Sequence, residues 1–259
     1  MSIKLTDVID SISQMEAERI ASEYAESQSF PWKANIRAVF RDLLENHFLV
    51  PGNIKASTDE KSIESWVRKF IKGYENRTSV TASNMPGTIA DPVVDIVISH
   101  RLQNLNNRDI RQIQGAHRLS MNAEKIIGDL LEDYIHTKLE PFGWYCAWGS
   151  TLKATDFVVP QNTAKPRWQI KNRDNSENSS SKAIRKAARE KGVKIDLWFR
   201  TFSKTGITNW PALNDELNID SENDPVLSEE SFRRFVGEII ENNPDCLAIE
   251  NDNYYNPNG

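Results

Sequence analysis

One stretch, residues 155–171, constrains the fold and the chemistry of this chain more than any other. It reads Thr-Asp-Phe-Val-Val-Pro-Gln-Asn-Thr-Ala-Lys-Pro-Arg-Trp-Gln-Ile-Lys, with a β-rich run at each end. Pro160, Asn162 and Pro166 punctuate its middle and predict a turn between two short strands. We therefore expect a hairpin here and a sheet built around it.

Three polar side chains of this hairpin are predicted to meet. Side chains alternate between the two faces of a strand, so Gln169 and Lys171 share one face of the second strand. Folding the hairpin brings Asp156 to them. A carboxylate, an amide oxygen and an ammonium together suit a divalent cation and an attacking water. Asp156, Gln169 and Lys171 are therefore the candidate active site; the alternative is a simple cross-strand ion pair between Asp156 and Lys171.

A helix predicted from about residue 122 to 139 precedes the hairpin. The run 120–124 offers a cap, and Glu124, Gly128 and Glu132 follow at four-residue steps, which places them on one stripe. A glycine inside a helix costs about 1 kcal/mol relative to alanine. That choice suits a helix that something must approach. The alternative is a glycine packed against a strand, with two glutamates facing solvent.

Charge is strongly segregated along the chain. The net charge of −5 argues against generic coating of nucleic acid. Residues 165–204 nevertheless carry twelve cations and four acids, a balance of +8, whereas residues 214–253 carry a balance of −10. The basic block surrounds the candidate site. Phosphate binding explains it well, and a solvated helix face explains it equally from charge alone.

Length and composition limit the class of protein. The 259 residues, 39% of them hydrophobic, suffice for one large domain or for a main domain with an appendage. No stretch is apolar for long enough to span a bilayer, and the N-terminus lacks a signal-peptide core. Cys146 and Cys246 are far apart and have no metal-type spacing. We expect a cytoplasmic protein with no membrane partner.

The N-terminal part is predicted to be mainly helical. Apolar residues recur at helical intervals before residue 75, and the run from Asp59 supplies a helix start. We divide the chain into a helical region at 1–115, with a role in packing, dimerisation or DNA clamping, and a catalytic and recognition core at 116–259. The apolar stripes of the first part are read as core or dimer contacts.

The segment after Lys171 carries the candidate nucleic-acid contacts. Residues 172–181 are strongly polar, which is typical of a low-complexity linker, but Asn, Arg and Ser also read base edges and hold phosphates. A basic helix at 182–191, a third core strand at 194–200, a loop at 205–211 and a closing helix at 228–241 are predicted to follow. The candidate contacts are Asn172, Arg173, Asn175, Ser176, Asn178, Ser179 and Ser180 for bases, Lys182, Arg185, Lys186 and Arg189 for phosphates, and Thr208 and Asn209 in the loop.

The order of these motifs resembles a known superfamily. A helix with Glu132, then Asp156-Phe-Val-Val, then Gln169-Ile-Lys171 is similar to the PD-(D/E)XK nucleases. The runs 117–121, 171–181, 198–200 and 205–210 look like those of SinI-type type II restriction endonucleases, over roughly residues 115–215. The resemblance implies an α/β restriction-endonuclease-like core, a mixed central sheet flanked by helices, beside the helical N-terminal region.

The resemblance also implies an activity and partners. It implies Mg²⁺-dependent hydrolysis of phosphodiester bonds in double-stranded DNA, within a short palindrome of the GGWCC kind. It further implies a homodimer, a bacterial cytoplasmic location and a cognate DNA methyltransferase as a genetic rather than physical partner. The alternatives are a junction-resolving or methylation-dependent nuclease of the same fold, a DNA-binding protein without catalysis, or an interaction scaffold.

One departure from the superfamily pattern concerns Gln169. The superfamily usually has an acid there, and an amide oxygen can bind Mg²⁺ without neutralising its charge. We expect the preceding helix to supply the missing carboxylate, from Glu132 first and Glu124 second. Asp156, the Gln169 side chain and the Ile170 carbonyl would bind the ion, and Lys171 would position the attacking water. Glu132 would act through a water molecule or bind a second ion.

Overall fold

The computed structural model describes residues 2–82, 91–102, 104–217 and 226–247. Its helices are α1 (Leu5–Ser11), α2 (Gln14–Ser27), α3 (Ala34–Glu45), α4 (Asp59–Glu75), α5 (Pro92–Arg101), α6 (Asn107–Leu139), α7 (Ser179–Glu190), α8 (Trp210–Asn214) and α9 (Glu229–Asn242). Its strands are β1 (Ile3–Lys4), β2 (Lys55–Ala56), β3 (Tyr145–Cys146), β4 (Phe157–Val158), β5 (Arg167–Arg173) and β6 (Asp196–Thr201). The fold is mixed α/β, as the sequence predicts. Among the helices described, none is long and apolar enough to cross a membrane.

The main sheet has four strands in the order β3-β4-β5-β6. The predicted hairpin is present, because β4 and β5 pair antiparallel with Phe157 opposite Trp168. The strand predicted at 194–200 is present as β6, which pairs parallel to β5 with Ile170 beside Trp198. Parallel neighbours need a long crossover connection. The basic segment supplies it as α7, which begins at Ser179, three residues before the predicted helix start.

The helix before the hairpin is much longer than predicted. α6 is a single helix of 33 residues, about 50 Å long at the usual rise. Its cap is Asn106, whose side chain accepts from the backbone of Asp109 while the Asp109 side chain accepts in return. This reciprocal capping box defines the start, so the predicted cap at residues 120–124 is wrong. Ser120 lies inside the helix.

The N-terminal helices pack on the sheet in one continuous hydrophobic core. Trp66 of α4 is fully buried, and its indole N–H donates to the carbonyl of Thr151, 3.0 Å away. Gly73, two residues before the end of α4, lies against the backbone of Gly149. Because α6 also runs through residue 115 without a break, no gap in the backbone marks the predicted boundary. The division of roles between residues 1–115 and 116–259 stays a prediction.

A buried ion pair fixes α3 to the first residue of β5. The Arg167 guanidinium donates to both carboxylate oxygens of Asp42, at 2.9 and 2.5 Å, and both side chains are buried. Burial raises the pKa of Asp42 more than Arg167 lowers it. Removing one partner of such a pair costs about 3–5 kcal/mol, because the other charge stays buried alone. The pair therefore locks the position of the strand that carries Gln169 and Lys171.

We predict that Gly73→Ala destabilises the protein although alanine favours helix. The added Cβ would lie 2.2 Å from the backbone nitrogen of Gly149, so two chain segments must separate. We expect the free energy of unfolding in urea to fall by about 2 kcal/mol or more. Gly237→Ala in α9 is the matched control. Its Cβ would meet no atom of the described residues within 4 Å, so it should raise stability by up to about 1 kcal/mol. Equal effects of the two changes would contradict this packing.

Candidate active site

The register of β4 and β5 brings the predicted site residues together. Carried one residue beyond Phe157 and Trp168, it places Asp156 opposite Gln169. One carboxylate oxygen of Asp156 accepts from the backbone N–H of Ile170 at 2.7 Å, and Lys171 Nζ lies 3.8 Å from that oxygen. The backbone N–H of Asp156 donates to the Trp168 carbonyl at 2.8 Å. Both the backbone and the side chain of Asp156 are thus held by β5.

Glu132 of α6 belongs to the same electrostatic neighbourhood. Burial, and next the Asp156 carboxylate, raise the pKa of Glu132 well above its usual value, while Lys171 opposes the shift. The pKa of Asp156 is also raised, because burial outweighs Lys171 and the Ile170 N–H. Two carboxylates and one ammonium therefore share a desolvated space. A bound cation would favour the charged form of both acids.

Gln169 contributes an acceptor that no described residue satisfies. Its side chain is 2% exposed, and its Oε1 is buried without a hydrogen-bond partner among the described residues. Leaving a buried polar atom unsatisfied costs about 1–3 kcal/mol. Sites of this kind are explained by an absent ion or water, or by a functional role.

The possible ligands suit a hard divalent cation that is bound through few charged side chains. The part of the chain that is described contains no group of three or more His, Cys, Asp or Glu side chains able to hold a metal. What it offers here is two carboxylates, one amide oxygen and the Ile170 carbonyl. Mg²⁺ commonly binds through one or two carboxylates and keeps several waters. The residues present are compatible with that ion.

The alternative of a simple structural ion pair accounts poorly for these features. A pair between Asp156 and Lys171 alone does not involve Glu132, whose pKa the Asp156 carboxylate raises. It also leaves Gln169 Oε1 unexplained. The geometry is that of an electrostatically strained cluster, which is typical of active sites.

The structure separates the two glutamates of the predicted stripe. Glu124 is 61% exposed, and its carboxylate lies 4.0 Å from the guanidinium of Arg173. It stands two turns, about 12 Å, before Glu132 along the helix axis. Only Glu132 shares the field of Asp156. Gly128, between them, would place a Cβ with no described atom within 4 Å, so the alternative of a glycine packed against a strand is wrong.

The polar run 172–181 is structured, and the alternative of a low-complexity linker is wrong. It forms the end of β5, a turn and the start of α7. Asn178 caps α7, since its side-chain oxygen accepts from the Ser181 N–H at 2.8 Å. Ser180 Oγ donates to the same oxygen, and Ser176 Oγ donates to the Arg173 carbonyl at 2.6 Å. These contacts use several of the groups predicted to face bases.

Two further contacts tie this run to its surroundings. Asn172 Oδ1 accepts from Arg200 Nε at 2.9 Å, and Arg200 in turn pairs with Glu229 of α9 at 2.7 Å. The Asp174 carboxylate accepts from the backbone N–H of Ser203 at 2.8 Å. Asn172 is therefore half-buried, and its side-chain oxygen is used within the protein. Arg173, Asn175 and Ser179 are exposed.

The loop after β6 also folds back on that strand. Thr208 forms an isolated bridge with Thr201, and Asn209 Nδ2 donates to the Phe199 carbonyl at 3.3 Å. Through Asp174 and Ser203, the loop lies beside the turn of the polar run. Both predicted recognition segments therefore lie just beyond the C-terminal ends of the parallel strands β5 and β6.

The predicted phosphate contacts line a groove between α7 and β6. It has a volume of about 370 Å³, and its basic residues are Lys182, Arg185, Lys186, Arg189 and Lys194. Arg185 pairs with Glu177 at 2.6 Å, which leaves the exposed Lys182, Lys186 and Arg189 as the more available cations. Lys194 was missed, although its place in the basic block was a usable signal.

Arg200 is the second residue that sequence reasoning missed. It bridges Asn172 and Glu229, and its guanidinium lies over the Phe232 ring at 5.1 Å. An arginine within an apolar strand pattern was the available signal. Its partners, however, lie 28 and 29 residues away, and no spacing rule could identify them.

Comparisons with known proteins give one consistent result. The family model described as SinI restriction endonuclease matches residues 49–242. The chain is 42% identical over 179 residues to the type II restriction enzyme Eco47I of Escherichia coli, covering 68% of this chain and 71% of that protein. It is 44% identical over 154 residues to the type II restriction enzyme SinI of Salmonella infantis, covering 58% and 62%.

We predict that Glu132→Gln stabilises the metal-free protein. The folded pKa of Glu132 lies above the value of about 4.3 in an unfolded chain, so stability falls as pH rises through that interval. In EDTA, we expect the melting temperature of the variant to exceed that of the wild type by several degrees at about pH 8. At about pH 4 the two melting temperatures should be equal. Mg²⁺ should then raise the wild-type melting temperature more than that of the variant.

Glu124→Gln is the matched control, because it lies on the same helix stripe but on the surface. It should leave the melting temperature nearly unchanged at both pH values. A lower melting temperature for Glu132→Gln at high pH would show that Glu132 is a stabilising charge, contrary to the site described.

Proposed function

The chain belongs to the SinI restriction endonuclease family, and on this premise we propose how it cuts DNA. Membership makes it a type II restriction enzyme, a site-specific deoxyribonuclease. We propose that Mg²⁺ supports the reaction at Asp156, Gln169 and Glu132. The observation that carries the proposal is the buried, unsatisfied Gln169 Oε1 opposite Asp156, with Lys171 beside it.

Each residue has a distinct part in this proposal. Asp156, the Gln169 amide oxygen and the Ile170 carbonyl would hold Mg²⁺, and Glu132 would add a second negative charge near it. When bound, Mg²⁺ supplies positive charge that polarises the scissile phosphate and lowers the pKa of water. Lys171 orients the attacking water and offsets the charge that develops on the phosphate. The Ile170 N–H keeps Asp156 in position for these contacts.

Glu132 compensates for the neutral Gln169. A superfamily site with an acid at this position would carry its second carboxylate on β5. In this chain the second carboxylate is Glu132, which lies on α6. With two carboxylates, the set balances one divalent cation and matches one tightly bound ion better than two. Glu124 belongs to this proposal as a surface partner of Arg173 rather than as a ligand.

DNA binding is proposed for the surface that continues from the site. The exposed Arg173, Asn175 and Ser179 are the first candidates for base contacts, since Arg pairs with guanine and Asn with adenine. Lys182, Lys186 and Arg189 neutralise phosphates. The sheet β3-β4-β5-β6 with α6 forms the restriction-endonuclease-like core of this proposal.

The wider setting is proposed from the family likeness. The substrate is a short palindrome of the GGWCC kind, and a homodimer cuts both strands. The enzyme acts in the bacterial cytoplasm, where a cognate methyltransferase protects host DNA. Digestion of unmethylated plasmid with Mg²⁺, followed by sequencing of the ends, tests activity and site together. A junction-resolving enzyme would leave linear duplex intact, and a methylation-dependent one would spare this substrate.

We predict that Lys171→Ala abolishes cutting while DNA binding persists. Loss of a group that stabilises transition-state charge lowers the rate by at least about 100-fold. Plasmid cleavage is measured with Mg²⁺, and affinity for a duplex containing the identified site is measured with Ca²⁺. Lys61→Ala, an exposed lysine of α4, is the control and should cut normally. Retained cutting by Lys171→Ala would overturn the assigned role.

We predict that alanine at Lys182, Lys186 or Arg189 weakens DNA binding regardless of sequence. Removing one cation that neutralises a phosphate should reduce the slope of log affinity against log salt by about 1. Duplex affinity is measured at several salt concentrations, on cognate and unrelated DNA. Arg234→Ala is the matched control, since this arginine is exposed on α9 and pairs with Glu230. An unchanged salt slope for all three variants would exclude the groove from DNA contact.

A further inference from the structure

Gly128 of α6 is a glycine for which the described part of the chain gives no packing reason. It lies inside a regular helix, where glycine is less favourable than alanine. An ideal Cβ at this position would meet no described atom within 4 Å, although Gly128 is half-buried. Gly73 of α4 is the contrast, because the backbone of Gly149 fills the space beside it. The space beside Gly128 is open, so the side chain is absent for another reason.

Gly128 lies between two points at which α6 meets the end of β5. Four residues before it, the Glu124 carboxylate lies 4.0 Å from the Arg173 guanidinium. Four residues after it, Glu132 shares the electrostatic field of Lys171. Four residues of helix rise by about 6 Å, and i, i+4 neighbours lie on one face. The open space therefore lies next to the candidate active site, between that site and the polar run.

Two cations of β5 face this open space. Side chains two residues apart lie on the same face of a strand, so Lys171 and Arg173 point to the same side of the sheet. It is the side on which α6 lies, because each of the two cations is close to a glutamate of that helix. Neither cation is fully buried, since their side chains are 24% and 52% exposed. We name this region the α6 gap; it is lined by Glu124, Gly128, Glu132, Lys171 and Arg173.

We propose that the sugar–phosphate backbone of the DNA strand that is cut passes through the α6 gap, and that a side chain at position 128 would block its path. This step rests on the proposed function, which places the scissile phosphate beside Lys171. A strand that leaves this phosphate is held by further cations, and Arg173 is the next cation on the same face. Glycine is the residue that allows a helix and a ligand to approach most closely.

The charges around the α6 gap are compatible with a phosphate chain. The contact of Glu124 with Arg173 is long and exposed, so it contributes little stability and leaves Arg173 free to turn to a phosphate. Glu132 lies beside Lys171 and the proposed Mg²⁺, which offset its negative charge. The helix itself is regular here, since Lys125 and Asp129 form an i, i+4 ion pair at 2.7 Å across Gly128. A kink in α6 therefore does not explain the glycine.

The first test separates stability from function in the full-length chain. Gly128→Ala should raise the melting temperature by a few degrees, because alanine favours helix and its Cβ meets no described atom. It should also weaken the affinity for a duplex that contains the identified site, measured with Ca²⁺, and slow cutting with Mg²⁺ by at least about tenfold. Gly128→Leu should slow cutting by at least about 100-fold. Gly237→Ala and Gly237→Leu are the matched controls, since Gly237 is an equally open glycine inside α9. They should cut normally.

Protection of an introduced thiol gives a second, independent measurement. Gly128→Cys places a thiol in the α6 gap, and the native Cys146 and Cys246 are both buried. Alkylation by iodoacetamide is followed by mass spectrometry with and without a saturating duplex, in Ca²⁺. DNA should protect the thiol of Gly128→Cys, because its backbone would cover this position. The thiol of Gly237→Cys should react equally fast in both conditions.

The outcomes separate this inference from the proposed function. Normal cutting by Gly128→Leu, or a thiol of Gly128→Cys that DNA does not protect, overturns the DNA path while the wild type still cuts. A change only in the Mg²⁺ concentration needed for cutting, with DNA affinity unaltered, would assign the α6 gap to a hydrated ion and also overturn the path. Protection of the thiol of Gly128→Cys, with a wild type that cuts no DNA in Mg²⁺, overturns the proposed function and leaves the path standing.

Discussion

The candidate site depends on the register between β4 and β5. The Asp156 backbone N–H donates a hydrogen bond to Trp168, and its side chain accepts one from Ile170. Both the backbone and the side chain of this residue are therefore positioned by β5. A slip by one residue would turn Gln169 and Lys171 to the other face of the sheet. The buried pair of Asp42 and Arg167 fixes the beginning of β5 and so protects that register. The contacts that fix the position of β5 therefore also fix which side chains meet at the candidate site.

The second constraint is a shortage of compensating charge. Burial and the Asp156 carboxylate raise the pKa of Glu132, burial raises the pKa of Asp156, and the neutral Gln169 adds an acceptor without a donor. Each of these features lowers the stability of the metal-free fold. Together they are the features on which the proposed divalent-cation site is based. Such exchange of stability for activity is common in enzymes.

The sequence was informative where chemistry follows local periodicity. Alternation along two strands predicts that Asp156, Gln169 and Lys171 meet, because turn residues and the β-sheet period are local properties. The start of α6 was not predicted, because the run 120–124 also has the composition of a helix cap. In the structure, Asn106 and Asp109 form the reciprocal hydrogen bonds of the cap. The choice between Glu124 and Glu132 was open because both share a stripe. Docking of α6 on the sheet brings Glu132, and not Glu124, near Asp156, and no local rule predicts that docking. The contact of Arg200 with Asn172 is likewise made between distant residues.

The bond between Asp42 and Arg167 also has a consequence for the speed of folding. It closes a loop of 125 residues, and the contact of Trp66 with Thr151 closes one of 85. Contacts between distant parts of a chain form slowly, since loop entropy is lost before they are made. We expect β5 to reach its final position only after the N-terminal helices have docked. A newly made chain would then become able to cut DNA only after these distant contacts have formed.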